Sequence, residues 1–145
     1  YKIMNLEEIQ ALADKDLKLD DTELDIESLK TPELHNKYLK LLSKFNLLLK
    51  KADSDYAILH KDKWEYYTGK SDPKVYMEKP FDLKILRADI DKYLLSDPEI
   101  IQQSQKIEYL RTVVNHVEQI IRQINNRTFQ IKNAIEWKKF TSGGI

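Results

Sequence analysis

The 145-residue chain contains no cysteine. That excludes a disulfide scaffold, a Cys-ligated zinc site, an iron–sulfur cluster and a thiol nucleophile. Glycine occurs 3 times and proline 4 times, too few turn residues for a sandwich or barrel of many short strands. No apolar run approaches the roughly 18 residues that span a bilayer, so no membrane association is expected. No signal-peptide pattern opens the chain, and a soluble intracellular protein is expected; a start at Tyr1 rather than Met suggests residues upstream. Histidine is scarce: His35, His60 and His116 lie far apart in no metal-ligand spacing. There is no GxGxxG and no phosphate-binding loop. Gly69-Lys70-Ser71 echoes only the end of one and follows a helix instead of opening one. Carboxylates crowd residues 14–27, but in no calcium-loop spacing. No catalytic site, metal or cofactor is expected.

Net charge is also lacking, with 24 basic and 24 acidic side chains. The zero hides segregation. Residues 1–35 carry 4 basic and 10 acidic groups, residues 36–70 carry 8 and 4, residues 71–99 carry 5 and 7, and residues 100–145 carry 7 and 3. An acidic head on a basic body suits a partner for the head, or contact of head with body. The plainer alternative is solvated helix faces.

What the chain has in abundance is helical pattern. Residues 5–13 read as a short helix capped by Asn5, with Glu7 and Glu8 in its first turn. Residues 16–20 alternate as an extended, strand-like piece, and 22–29 suggest a second short helix. Thr31-Pro32-Glu33 reads as a helix start. From there Leu34, Tyr38, Leu41, Phe45, Leu48, Ala52, Leu59 and Tyr66 recur at spacings of 3 and 4, missing at Asp55 and Asp62: a heptad seam. A flanking row, Leu42, Leu49 and Tyr56, continues into Lys63 and Lys70. Residues 68–73 break the helix. Residues 74–82 suggest an ordered loop, and 83–95 a short helix using Leu83, Leu86, Ile90 and Leu94. Ser96-Asp97-Pro98-Glu99 starts a last long helix, whose seam runs Ile100, Gln103, Ile107, Leu110, Val114, Val117, Ile121, Ile124, Thr128, Ile131 and Ile135. The frayed end is expected at 141–145. Val113, Ile120 and Ala134 flank this second seam, and a seam with a flank is wider than a two-stranded pairing needs. The expected fold is all-α: one domain, elongated, with an N-terminal part (1–75) and a C-terminal part (76–145). The two long helices pair as a hairpin, and the extra apolar row meets other subunits.

One segment combines cations with aromatic rings. Tyr56, Trp64, Tyr66, Tyr67 and Tyr76 place 5 of 14 aromatics within 21 residues, and Lys61, Lys63, Lys70 and Lys74 interleave with them. Cations that track a backbone and rings that stack on bases are the means of single-stranded nucleic-acid binding. A bland reading stands beside it: Tyr66 lies on the seam, Trp64 can pack on the loop at 76–81, and Lys61 can pair with Glu65.

The string Lys61-x-Lys63-Trp64-Glu65-Tyr66-Tyr67-Thr68-Gly69-Lys70 resembles the signature of the UvsY family, recombination mediators of T-even-type phages. Arg127-Thr-Phe129-Gln-Ile131-Lys132, closing with Phe140, is similar to the family's tail. The resemblance spans residues of about 55 to 141. It implies a small, non-enzymatic, cofactor-free protein that binds single-stranded DNA and forms a homo-oligomeric ring of six or seven subunits, held largely through its last helix. It also implies that the protein helps load a RecA-like recombinase onto DNA covered by the phage single-strand-binding protein, in the cytoplasm of the infected host. Lys61 and Lys63 fall on the two basic motif positions. Lys63 stands where a family member has arginine, which keeps the charge but loses bidentate phosphate geometry, and the loop at 71–75 also differs.

The combined expectation names Lys61, Lys63, Tyr66, Tyr67, Lys70 and Lys74 as the DNA-contacting set. Leu110, Val113, Val114, Val117, Ile120, Ile121, Ile124 and Ile131 form the subunit interface, and the acidic head or a neighbouring surface recruits the recombinase. A coiled-coil scaffold without DNA binding is the alternative. A carboxylate-metal nuclease near Asp14 to Asp25 is a more distant one.

Overall fold

The computed structural model describes residues 3–143, and among these there are five α-helices, one 3-10 turn and no strand. Helix α1 (Leu6–Asp16) starts as expected: the Asn5 side chain accepts the Glu8 backbone N–H at 2.8 Å. It runs three residues further than expected, so Asp16 is still helical and the strand-like piece at 16–20 is not formed. Asp20 instead closes a turn, its Oδ1 accepting both the backbone N–H (3.0 Å) and the hydroxyl (2.6 Å) of Thr22. Local side-chain bonds of this kind satisfy the backbone without a partner strand.

Helix α2 (Leu24–Tyr67) corrects the reading of Pro32. The residue sits in the ninth position of one continuous helix and starts nothing. Its missing N–H removes the bond to the Ser28 carbonyl, while the Thr31 hydroxyl reaches the Glu27 carbonyl at 3.4 Å. The helix persists through proline because its first turns are tied down: Leu24 and Glu27 are buried. Pro32→Ala is expected to raise the unfolding free energy by about 1 kcal/mol, less than the ~3 kcal/mol of a helix-interior proline because proline also stiffens the unfolded chain. Urea denaturation followed by circular dichroism checks it.

The expected loop at 74–82 begins as a short helix, α3 (Pro73–Glu78), capped by Asp72, which accepts from Lys74 N–H at 3.0 Å. The helix expected over 83–95 is shorter. A 3-10 turn at Arg87–Asp89 leads into α4 (Ile90–Leu95). Leu83 and Leu86 are 63% and 74% exposed, and a helical stripe with nothing to bury against has little to stabilise it. Helix α5 (Pro98–Thr141) starts where expected, with Asp97 Oδ1 accepting the N–H groups of Glu99 (2.9 Å) and Ile100 (3.2 Å). The helix closes at Thr141; Ile145 and its neighbour 144 lie outside the described residues.

Two compact units divide the chain, and the division cuts both long helices. One unit joins residues up to Asn46 with those from Thr112 onward. In it, Ile9 and Ala13 of α1, Leu24, Tyr38 and Phe45 of α2, and Val113, Val114, Val117, Ile120, Ile124 and Ile131 of α5 are buried. Helix α1 lies along both partners: Ala13 and Leu17 share a crevice with His116 and Ile120, and Met4 and Leu12 share another with Tyr38 and Leu41. Asp16 accepts from Lys37 at 2.7 Å and from the Tyr38 hydroxyl at 2.8 Å. Arg127, 1% exposed, donates to the Asp16 carbonyl at 3.1 Å and to the Glu27 carboxylate.

The other unit is residues 47–111. There α2 and α5 are neighbours: Gln103, half-buried on the seam, donates to the carbonyl of the buried Ala52 at 2.9 Å. Ile100, Ile107 and Leu110 are buried on α5, as is Leu94 of α4.

Further along α5 the buried stripe departs from the expected row. Arg127 is buried and Thr128 exposed. Val113, Ile120 and Arg127 form a row at a spacing of seven on the side where α1 packs, and Arg127 reaches Asp16 and Glu27 there, so burial follows the flanking row. Of the eight residues expected at a subunit interface, seven are buried within the chain and Ile121 is half-buried. The flank of Val113 and Ile120 lies within the core that α1 shares.

Candidate nucleic-acid interface

The cation-and-aromatic segment occupies the last turns of α2 and the turn after it, all within the 47–111 unit. The helix closes by the bonding pattern of a Schellman motif: Lys70 N–H returns to the Glu65 carbonyl at 2.8 Å, and Gly69 N–H to Tyr66 at 3.3 Å. Gly69 has φ +79°, a left-handed conformation that a Cβ disfavours. Asp72 and Pro73 then begin α3, so Lys70 sits on the short turn between two capped helices and Lys74 in the first turn of α3.

Beneath that turn is a ring cluster. Tyr66 stacks on Tyr76 (5.5 Å between centroids, 14° between planes) and meets Tyr67 at 5.1 Å and Phe81 at 5.4 Å. Tyr67 continues to Phe81 at 5.2 Å and Tyr93 at 5.6 Å. The hydroxyls are also engaged: Tyr66 donates to the Lys79 carbonyl at 3.1 Å, Tyr76 to the Tyr66 carbonyl at 2.8 Å, and Tyr67 to Asp97 Oδ2 at 2.6 Å.

Lys63 joins this cluster from the side. Its side chain is 16% exposed, with Nζ 3.3 Å from Asp97, 3.5 Å from Glu99 and 5.8 Å from the Tyr66 ring centroid. Burial acts to raise the Asp97 carboxyl, but the Tyr67 hydroxyl, the Ile100 N–H, the Lys63 charge and the Glu99 N–H together hold it below the ordinary aspartate value. Tyr67 is pushed above its ordinary value by burial and by Asp97.

A depressed carboxyl pKa contributes stability that is complete above the unfolded value and is lost as pH falls through the folded one. The tertiary signal of the tyrosine cluster in near-UV circular dichroism should therefore stay level from neutral pH to about 5 and fall below about 4. Asp97→Asn should flatten that fall.

The expected contact set thus divides. Lys63, Tyr66 and Tyr67 are half-buried and engaged by partners within the fold. Lys61, 66% exposed, has an ion pair with the exposed Asp62 at 3.8 Å. Lys74 is exposed, and Lys70 lies 4.5 Å from the centroid of the Trp64 ring. Trp64, which the expected set omits, is 37% exposed. The signal that could have separated the halves is the flanking row: Lys63 continues Leu42, Leu49 and Tyr56, all half-buried. Among the described residues no group of three or more His, Cys, Asp or Glu could hold a metal ion, and no helix is long and apolar enough to cross a membrane.

The family described as "Recombination, repair and ssDNA binding protein UvsY" matches residues 12–144. The recombination protein uvsY of Enterobacteria phage T4 is 21% identical over 140 residues, covering 97% of this chain and 99% of that protein. Crystal structures of the bacteriophage T4 recombination mediator protein UvsY superpose with TM-scores of 0.84 (lattice type II) and 0.81 (lattice type IV) at 20% identity. They cover 97% and 95% of this chain and 99% of each of those chains. The fold is shared.

Proposed function

Since the chain belongs to the UvsY family of recombination, repair and single-stranded-DNA-binding proteins, we propose that it acts as a recombination mediator without catalytic activity. It binds single-stranded DNA and helps load a RecA-like recombinase onto DNA covered by a single-strand-binding protein, in the cytoplasm of a phage-infected host. The observation that carries this reading is the division of the motif. Lys61, Lys70 and Lys74 stand clear of the buried carboxylates and are assigned to phosphates. Lys63, Tyr66 and Tyr67 hold the turn that carries them.

One such patch is a weak site. Assembly of several subunits, six or seven by the family resemblance, lets one strand engage many patches at once and converts weak contacts into avidity. Seven of the eight nominated α5 residues already serve the chain's own core. Ile121 and exposed α5 residues such as Phe129, Ile135, Trp137 and Phe140 offer apolar surface for an interface. Bending of the bound strand by the assembly would loosen the resident binding protein, and the acidic head is the segment assigned to the recombinase.

The deciding experiment titrates a labelled single-stranded oligonucleotide at low and moderate salt, with matched duplex as control. Salt-sensitive binding that prefers the single strand is expected. Its absence, from a folded and oligomeric protein, would leave the coiled-coil scaffold, the reading that the internal engagement of Lys63, Tyr66 and Tyr67 favours.

A further inference from the structure

Every tyrosine of the signature string is occupied. Tyr66 is stacked on Tyr76 and bonded to the Lys79 carbonyl, and Tyr67 is packed between Phe81 and Tyr93 with its hydroxyl on Asp97. A base cannot stack on either ring without dismantling the cluster. Trp64 is different. It lies on α2 one position before Glu65, 37% exposed, and among the described residues its ring meets the Lys70 ammonium at 4.5 Å and stacks on no other ring. It also has ring neighbours in register. Tyr56, His60 and Trp64 are four residues apart in turn on a single helix, so their side chains lie along one face. The Tyr56 and His60 rings are 6.0 Å apart, and His60 is exposed.

Resting on the single-strand reading above, we propose that Trp64 is the residue on which a nucleobase of the bound strand stacks, with the exposed His60 extending the surface along α2 and the half-buried Tyr56 backing it. An exposed cation–π contact is weak and its ammonium is strongly hydrated. Lys70 therefore moves from the ring to a phosphate at little cost, and the same motion uncovers the ring for a base. This couples the two halves of single-strand recognition, phosphate neutralisation and base stacking, in one pair of residues six apart. It also makes the contact indifferent to sequence, because every base offers a π-face.

The chain has two tryptophans, and Trp137 stacks on Phe140 far along α5. Trp137→Phe keeps an aromatic ring against Phe140 and leaves Trp64 as the sole indole reporter; because Trp137 lies on the surface assigned to assembly, the oligomeric state of this protein is first matched to that of the unsubstituted chain. Oligothymidine and an abasic deoxyribose-phosphate oligomer of equal length are titrated into this protein, and into the same protein carrying Trp64→Leu or Trp64→Phe. The expected result is quenching of Trp64 by oligothymidine and a preference of about tenfold or more for it over the abasic strand. Trp64→Leu should erase that preference while keeping abasic affinity, salt slope and helical content. Trp64→Phe should keep a smaller preference. Retained abasic affinity also certifies that the variant is folded. A preference that survives Trp64→Leu overturns the assignment, as does equal binding of both strands by the parent, and either leaves the mediator reading intact. Binding of neither strand overturns both.

Discussion

Arg127→Met is expected to lower the unfolding free energy by about 3–5 kcal/mol, and Arg127→Met combined with Glu27→Leu to recover most of it. The guanidinium is 1% exposed and Glu27 is 4% exposed. One nitrogen takes the Asp16 carbonyl, at the end of α1 where helix carbonyls lack intrahelical partners. The other takes the Glu27 carboxylate in the first turns of α2. A single side chain from α5 thus fixes where α1 stops and where α2 starts. Removing it leaves the buried Glu27 carboxylate with the half-exposed Lys30 ammonium, at 3.0 Å, as its remaining cation and leaves the Asp16 carbonyl without its donor; removing both charges leaves a site that apolar groups can fill, which is why the double variant should do better than either single change. Glu27→Leu alone should also be strongly destabilising, because Arg127 would then be the unpaired charge, and its Nε already lacks a partner. Urea unfolding at one fixed protomer concentration is the measurement, since assembly would add a concentration-dependent contribution. A double variant no more stable than the single ones would show that the pair's geometry, and not the stranded charge, sets the cost.

The elements legible in the sequence are those decided by neighbours along the chain. Asn5 and Asp97 cap helices because a short carboxyl or amide side chain reaches N–H groups two or three residues on, whatever the rest of the fold does. Gly69 ends α2 for the same local reason. Thr31-Pro32-Glu33 carries an equally local start signal and was overridden. The turns before it are held by burial of Leu24 and by Arg127, 100 residues away from Glu27 in sequence, and no window around Pro32 contains that. The flank of Val113 and Ile120 reads as an unpartnered apolar row in either case. Whether a second subunit or the chain's own α1 covers it depends on where residues 17–23 turn the chain back, and Asp20 and Thr22 decide that turn. The same limit applies at the candidate site. Lys61 and Lys63 are equivalent in composition and two apart, but only Lys63 meets Asp97, a partner set by the packing of α5 against α2.

Lys61→Ala with Lys70→Ala is expected to weaken single-strand binding by about ten- to a hundredfold at low salt and to flatten its salt dependence, with unfolding unchanged. Each phosphate released from a single strand removes roughly 0.7 from the slope of log affinity against log salt, so two lysines remove about 1.4 for each protomer engaged. Neither residue touches a buried carboxylate, which is why stability should not move. Lys63→Met should behave otherwise. It leaves Asp97, 3% exposed, with its Tyr67 and backbone donors but without a cation, and an under-compensated buried charge costs about 1–3 kcal/mol. Binding falls with it, because the turn bearing Lys70 and the start of α3 bearing Lys74 rest on that cluster. Adding Asp97→Asn removes the stranded charge while an amide oxygen still caps α5. The pair of substitutions should recover both stability and binding if Lys63 acts through the cluster. Stability recovered without binding would instead make Lys63 a phosphate contact in its own right. In that case Asp97 and Glu99 compete with DNA for its ammonium, and Asp97→Asn alone should then tighten binding.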